Sequence, residues 1–222
     1  MAAMGPQCSI GFGPASKPAA PGERMRPEDL ISFWIGPLEP DGCASAEHSA
    51  RWWSKDPEFD AQIASRFGET VRALARGERE SWRSEARSLL AYVIGLDQFT
   101  RNKYRDTPAA FASDPLALAA AQAGLQTGFD HALAVQERVF LYMPFMHSED
   151  LVDQDRCVAL FRQLADAADG RMRDVLEYNH RFAVAHRNIV AVYGRFPHRN
   201  GILGRVSTAD ELAFLQRPGS SF

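Results

Sequence analysis

From Leu30 onward, apolar residues recur every third or fourth position, interrupted by short Gly- and Pro-rich punctuation. That spacing lines side chains along one face of an α-helix, and no stretch alternates with period two between hairpin turns. A chain patterned this way is confined to helices that bury their stripes against one another, with sheet content near zero. Short links between the stripes make neighbouring helices antiparallel. The expectation is an all-α fold of antiparallel helix pairs.

The punctuation places the boundaries. Pro27 with Glu28 and Asp29 suits a first helical turn, and Gly36-Pro37 stops that helix. Asp56-Pro57 opens the next as cap and first residue, with Phe59, Ile63, Phe67, Val71 and Leu74 on one face as far as Gly77. Leu89, Leu90, Val93, Ile94 and Leu96 mark a helix over residues 84–102, and Asp114-Pro115 opens another. Residues 134–142 predict a short helix ended at Pro144, and residues 148–168 and 171–193 predict two longer ones around Gly170. Thr208 with Glu211 three residues on is a capping box opening a last helix.

Residues 1–24 lack this pattern. They hold Pro6, Pro14, Pro18 and Pro21 among glycines, which reads as a flexible leader without the compact apolar core of a secretory signal. Met25 offers an alternative start. Residues 25–216 then form a single all-helical domain, and residues 217–222 a frayed tail. A formal net charge of −3 leaves no global footprint for nucleic acid or an anionic membrane. No apolar run approaches the roughly 18–20 residues that span a bilayer. Cys8, Cys43 and Cys157 are far apart and in no metal spacing, so they read as free thiols of a reducing, cytoplasmic compartment.

Three segments carry more polar chemistry than packing requires. In the first, Asp97 and Arg101 are neighbours on one helix face, as are Gln98 and Asn102, just beyond the apolar run Val93, Ile94, Leu96. Charges at a buried helix end demand partners or a ligand. In the second, Ser148 reads as an N-cap with Glu149 and Asp150 in the first turn, which leaves His147 unexplained. A histidine beside a carboxylate is equipped for acid–base work near neutral pH, and it also describes many inert helix starts. In the third, Gly194 ends a helix, and Arg195 is placed to satisfy its carbonyls. His198, Arg199 and Asn200 then occupy a constrained turn, followed by Arg205. Guanidiniums converging on one pocket would hold a carboxylate, phosphate or sulfate. They could equally pair with Asp97, Glu149 and Asp150 in a structural network, which is favoured as the main energetic role, with a ligand completing it.

The chain resembles the bacterial "domain of unknown function 924" family at these segments. The pieces that carry the resemblance are Ile31-Ser-Phe-Trp34, Trp52-Trp53-Ser-Lys-Asp-Pro-Glu-Phe59-Asp60 and Leu96-Asp-Gln-Phe-Thr-Arg-Asn102. They continue through Phe111-Ala-Ser-Asp114, Phe140-Leu-Tyr-Met-Pro-Phe-Met-His-Ser-Glu-Asp150 and Gly194-Arg-Phe-Pro-His-Arg-Asn200, then Leu203-Gly-Arg205. Thr100 stands where the family has proline, and Tyr193 where it has phenylalanine. The resemblance spans residues 27–216 and implies a tetratricopeptide-like helical array, without naming an activity.

Neither nucleotide-binding glycine motifs nor paired metal spacings occur, and the residues name no cofactor. His180 and His186 lie six apart on one helix and face different directions. A metal site drawn from His147, Glu149, His186 and His198 is the weaker alternative. Two functions remain open. One is a pocket for a small anionic molecule, catalytic where His147, Glu149 and His198 move protons. Asp97, Gln98, Arg101, Asn102, Arg195, Arg199, Asn200 and Arg205 would bind the ligand. The other is a non-catalytic helical module that binds a peptide in a groove.

Overall fold

The computed structural model describes residues 25–220, so the expected leader, with Cys8, lies outside the described residues. The described residues are all-α. Among them the sole strand-like feature is an isolated antiparallel bridge between Leu38 and Ala44.

Helix α1 (Pro27–Trp34) starts where Pro27 supplies the first helical residue, with Arg26 before it held extended. Helix α2 (Ala46–Trp52) had no counterpart in the apolar pattern, because none of its residues is buried. It is started by Ser45, whose hydroxyl takes the His48 N–H. Helix α3 (Pro57–Ala75) is capped by Asp56, which accepts from the N–H groups of Glu58 and Phe59, and it buries the expected stripe from Phe59 to Leu74.

The helix expected over residues 84–102 is three pieces in one rod. These are α4 (Ala86–Val93), a wider π-turn over Ile94–Gln98, and α5 (Phe99–Lys103). At Gly95 a Cβ would lie 2.4 Å from Leu74 Cδ1, so any larger residue would force the buried Leu74 side chain of α3 aside. The wide turn leaves backbone carbonyls for side chains to take. Thr100 Oγ1 donates to Leu96 O at 2.7 Å, and Arg101 Nη1 to Asp97 O at 2.6 Å.

Helices α6 (Asp114–Gln126), α7 (Val135–His147), α8 (Leu151–Ala167) and α9 (Gly170–Tyr193) complete the core, and α10 (Ala209–Leu215) follows. Pro144 does not end α7 as its missing N–H suggested. Phe145 and Met146 remain buried beyond it, and Gln154 of α8 holds the helix end, donating to the carbonyls of Phe145, Met146 and Ser148 at 3.3, 2.7 and 2.7 Å. Ser148 is likewise not the cap of α8. It ends α7, and Asp150 caps α8 by accepting from Val152 N at 2.8 Å, so Glu149 stands outside both helices.

Helices α8 and α9 run antiparallel. Asp155 near the start of α8 pairs with Arg187 late in α9, while Arg162 further along pairs with Glu177 further back. Gly194 ends α9 in the left-handed region, at φ 68°, as its position suggested. The Thr208–Glu211 capping box opens α10. Beyond α10 the backbone turns, and Ser220 Oγ reaches Leu215 O at 3.2 Å. Two apolar clusters result: a large one spanning α1 to α9, and a small one of Ile189, Val190 and Phe196 with Tyr193 and Phe214. No helix among the described residues is long and apolar enough to cross a membrane. Cys43 and Cys157 are buried free thiols.

Gln154→Met keeps the shape of the clasp on α7 and removes its donor. Leaving buried carbonyls unsatisfied is expected to cost about 1–3 kcal/mol, seen as a lower midpoint in urea unfolding with an unchanged slope.

Candidate functional site

The π-turn aims Asp97 inward, where its side chain is wholly buried. Its Oδ1 lies 2.8 Å from His147 Nδ1 at the end of α7 and 3.0 Å from Arg101 Nη1, and its Oδ2 accepts from Gln98 Nε2 at 2.5 Å. Burial pushes the Asp97 carboxyl up, but the Arg101 charge, followed by the contact with His147, outweighs this and holds it below the usual range. Ionised, it can only accept. The His147 proton therefore sits on Nδ1, and Nε2 carries the lone pair. No hydrogen bond reaches that Nε2 from the described residues, and the side chain is 11% exposed. Burial, then the Arg101 charge, lowers the His147 pKa against the pull of Asp97, which favours neutral imidazole at pH 7.

Arg101 continues the chain of charges. Two of its nitrogens lie 3.0 Å from the two carboxylate oxygens of Asp114, in the first turn of α6. Arg199 reaches the same carboxylate only at 3.5 Å. Its guanidinium lies over Phe196 and Phe111, 4.6 and 4.7 Å from the ring centres, and its buried Nε has no hydrogen-bond partner. Burial, reinforced by Arg101, pushes the Arg199 pKa down to about 10.

Phe196 is the hub of a third group. Its N–H donates to Glu149 at 2.8 Å, its carbonyl accepts from Arg205 at 3.1 Å, and Arg205 grips Glu149 at 2.6 and 2.9 Å. The rings of His186 and His198 lie 5.5 and 5.6 Å from it, and His147 is 6.5 Å from His186. His186 Nδ1 donates to Phe182 O at 2.8 Å. Burial drives the pKa of His186 down to about 3, and burial with the Arg199 charge drives His198 to about 4.

The structure thus gathers Asp97, Gln98, Arg101, His147, Glu149, His198, Arg199 and Arg205. It sends three of the expected residues elsewhere. Asn102 turns to Asp60 at 2.8 Å, beside Arg105. Arg195 satisfies Glu211 and Val206 O rather than the end of α9. Asn200 joins it, donating to Ser207 and Glu211. One participant was missed and another was read for a different role. Asp114 reads as a helix opener because it precedes a proline. His186, named in the sequence only for the weaker metal alternative, instead packs beside Phe196 and donates to Phe182 O.

The cations are met by carboxylates, and two surface hollows lie away from the cluster. One, of about 600 Å³, is walled by Tyr193, Arg195 and α10. The other, of about 510 Å³, lies between α2 and α9. Among the described residues no three His, Cys, Asp or Glu side chains are placed to hold a metal.

A solved structure from Agrobacterium tumefaciens, the protein of unknown function ATU0120, is similar to this chain with a TM-score of 0.70 and 36% identity. The match covers 86% of this chain and 96% of that one. No curated protein matches it. The profile of the family described as "Bacterial protein of unknown function (DUF924)" matches residues 30–219, which include every residue of the charge cluster, and the chain belongs to that family.

Proposed function

We propose that the chain binds a small anionic molecule beside His147 and acts on it by acid–base chemistry. The observation that carries this is the Asp97–His147 pair. A buried carboxylate fixes the imidazole through Nδ1 and leaves Nε2 without a bond at the edge of the cluster. In that state Nε2 accepts a proton, and Asp97 offsets the charge that forms on the ring. Arg199 supplies the anion contact. Its hold on Asp114 is long, Arg101 already occupies that carboxylate, and its Nε is unused. A carboxylate or phosphate would take the unused Nε and compete for the weakly held guanidinium. Glu149 and Arg205 fix the Phe196 backbone that carries Arg199, and thus position rather than touch the ligand.

The test is a thermal-shift screen of carboxylates and phosphates. An anion at a hundred times its Kd stabilises by about 2.7 kcal/mol, or roughly 5–10 °C for a chain this long. Arg199→Gln should lose that shift, measured against its own unliganded melting temperature. The reading fails if no anion raises the melting temperature, or if Arg199→Gln responds like the parent.

A further inference from the structure

The groove between α2 and α9 stands apart from the His147 cluster and has its own chemistry. Its volume of about 510 Å³ falls within the range of sites that enclose a small ligand or a few residues of peptide. One end is aromatic. Trp52 is pinned as a wall by its indole N–H on Trp34 O at 2.8 Å, while Trp53 and Tyr178 present rings 58% and 48% exposed. The inner face holds Gln136, 2% exposed, whose Oε1 takes the Ala44 N–H at 3.5 Å. That bond turns the amide so that Nε2 is a buried donor without an acceptor. The opposite end is acidic. Arg171 is shared by Glu39 and Asp41, and the Asp174 carboxylate, one turn along α9, has no ion pair among the described residues. Glu39 and Asp41 stand outside the groove lining and already neutralise the Arg171 guanidinium, which leaves the Asp174 carboxylate as the charge on the lining without an ion pair.

We propose that this groove binds an extended, proline-containing peptide segment that carries a basic residue. Proline rings stack on exposed Trp and Tyr faces, and the polyproline conformation leaves backbone carbonyls pointing outward. One such carbonyl accepts from Gln136 Nε2. The basic side chain reaches Asp174, which fixes the direction of the segment and disfavours acidic peptides. The interaction-module reading of the sequence finds its support here, independently of the histidine cluster.

The probe is acetyl-Pro-Pro-Lys-Pro-Pro-amide titrated calorimetrically into the full chain at low salt. Two controls replace its lysine by glutamate or its prolines by alanine. Saturable binding is expected in the range of roughly 10–500 µM, with both controls about tenfold weaker or more. Trp53→Ala and Asp174→Lys change exposed positions, so their circular dichroism melts should match the parent while affinity falls at least about fivefold. Equal binding of the lysine and glutamate peptides, unchanged affinity in Trp53→Ala, or no saturation would overturn the proposal. A dimer that Trp53→Ala dissociates, with no peptide bound, would also overturn it and assign the groove to a second copy.

Discussion

Asp97→Ala is expected to lower the stability of the protein by about 3–5 kcal/mol, a fall of roughly 10 °C in melting temperature. The carboxylate is wholly buried and answers Arg101, His147 and Gln98 together. Without it, Arg101 and Arg199 face the single charge of Asp114 in a site from which water is largely excluded. Desolvated charge with no counterion is what makes removal of one partner so costly. Asp97→Asn keeps the shape and the contact to His147 Nδ1 and loses only the charge, so it should fall between alanine and the parent. Chemical denaturation with matched slopes is the measurement. If Asp97→Ala melts within about 1 °C of the parent, the cluster does not depend on this carboxylate.

A second large effect is in pH. The unfolded chain offers His186 and His198 at their ordinary value near 6.5, whereas the fold pushes them down to about 3 and about 4. Between those values the unfolded state binds more protons than the folded one, so stability rises with pH across the interval. The contribution is complete above about pH 6.5 and is lost as pH falls toward 4. Each ring contributes up to about 1.4 kcal/mol per pH unit inside the window, and His147, also lowered, acts in the same direction. Melting temperature should therefore drop by roughly 5–15 °C between pH 7 and pH 5. The carboxylates that acid titrates lie lower, so they add little above pH 5. His186→Asn, which can still donate to Phe182 O, should flatten the slope by about one proton. An unchanged slope in that variant would show that His186 is not held neutral.

Local chemistry made much of the fold readable. Pro27, Asp56-Pro57, Gly194 and the Thr208–Glu211 pair act within a few residues of themselves, and each stands where its chemistry placed it. What escaped depends on distant residues. Helix α2 exposes every side chain enough to leave no stripe. Pro144 is carried inside α7 by a glutamine from the next helix. The π-turn is invisible in composition because one wider turn uses the same residues as an ordinary one. The site divides the same way. Asp97 and Arg101 were legible as helix neighbours. The approach of His147 across 50 residues and the second use of Asp114 were not. Asn102 follows Arg101 directly, but a helical step of about 100° turns it to Asp60 instead.

The segment after Gly194 packs Phe196 and Phe214 on the last turns of α9 and is tied further back through Glu149–Arg205 and Arg199–Asp114. A small apolar cluster and two ion pairs hold it, so it is expected to open before the main core does. Amide exchange from α10 should therefore run well ahead of exchange from α4 and α7, and quicken as salt loosens the clasp. Each such opening would take Phe196 from Glu149 and Arg199 from Asp114 while the main core stays folded. On that expectation the segment acts as a latch on the site: opening it withdraws Phe196 and Arg199, and closing it rebuilds their contacts with Glu149 and Asp114.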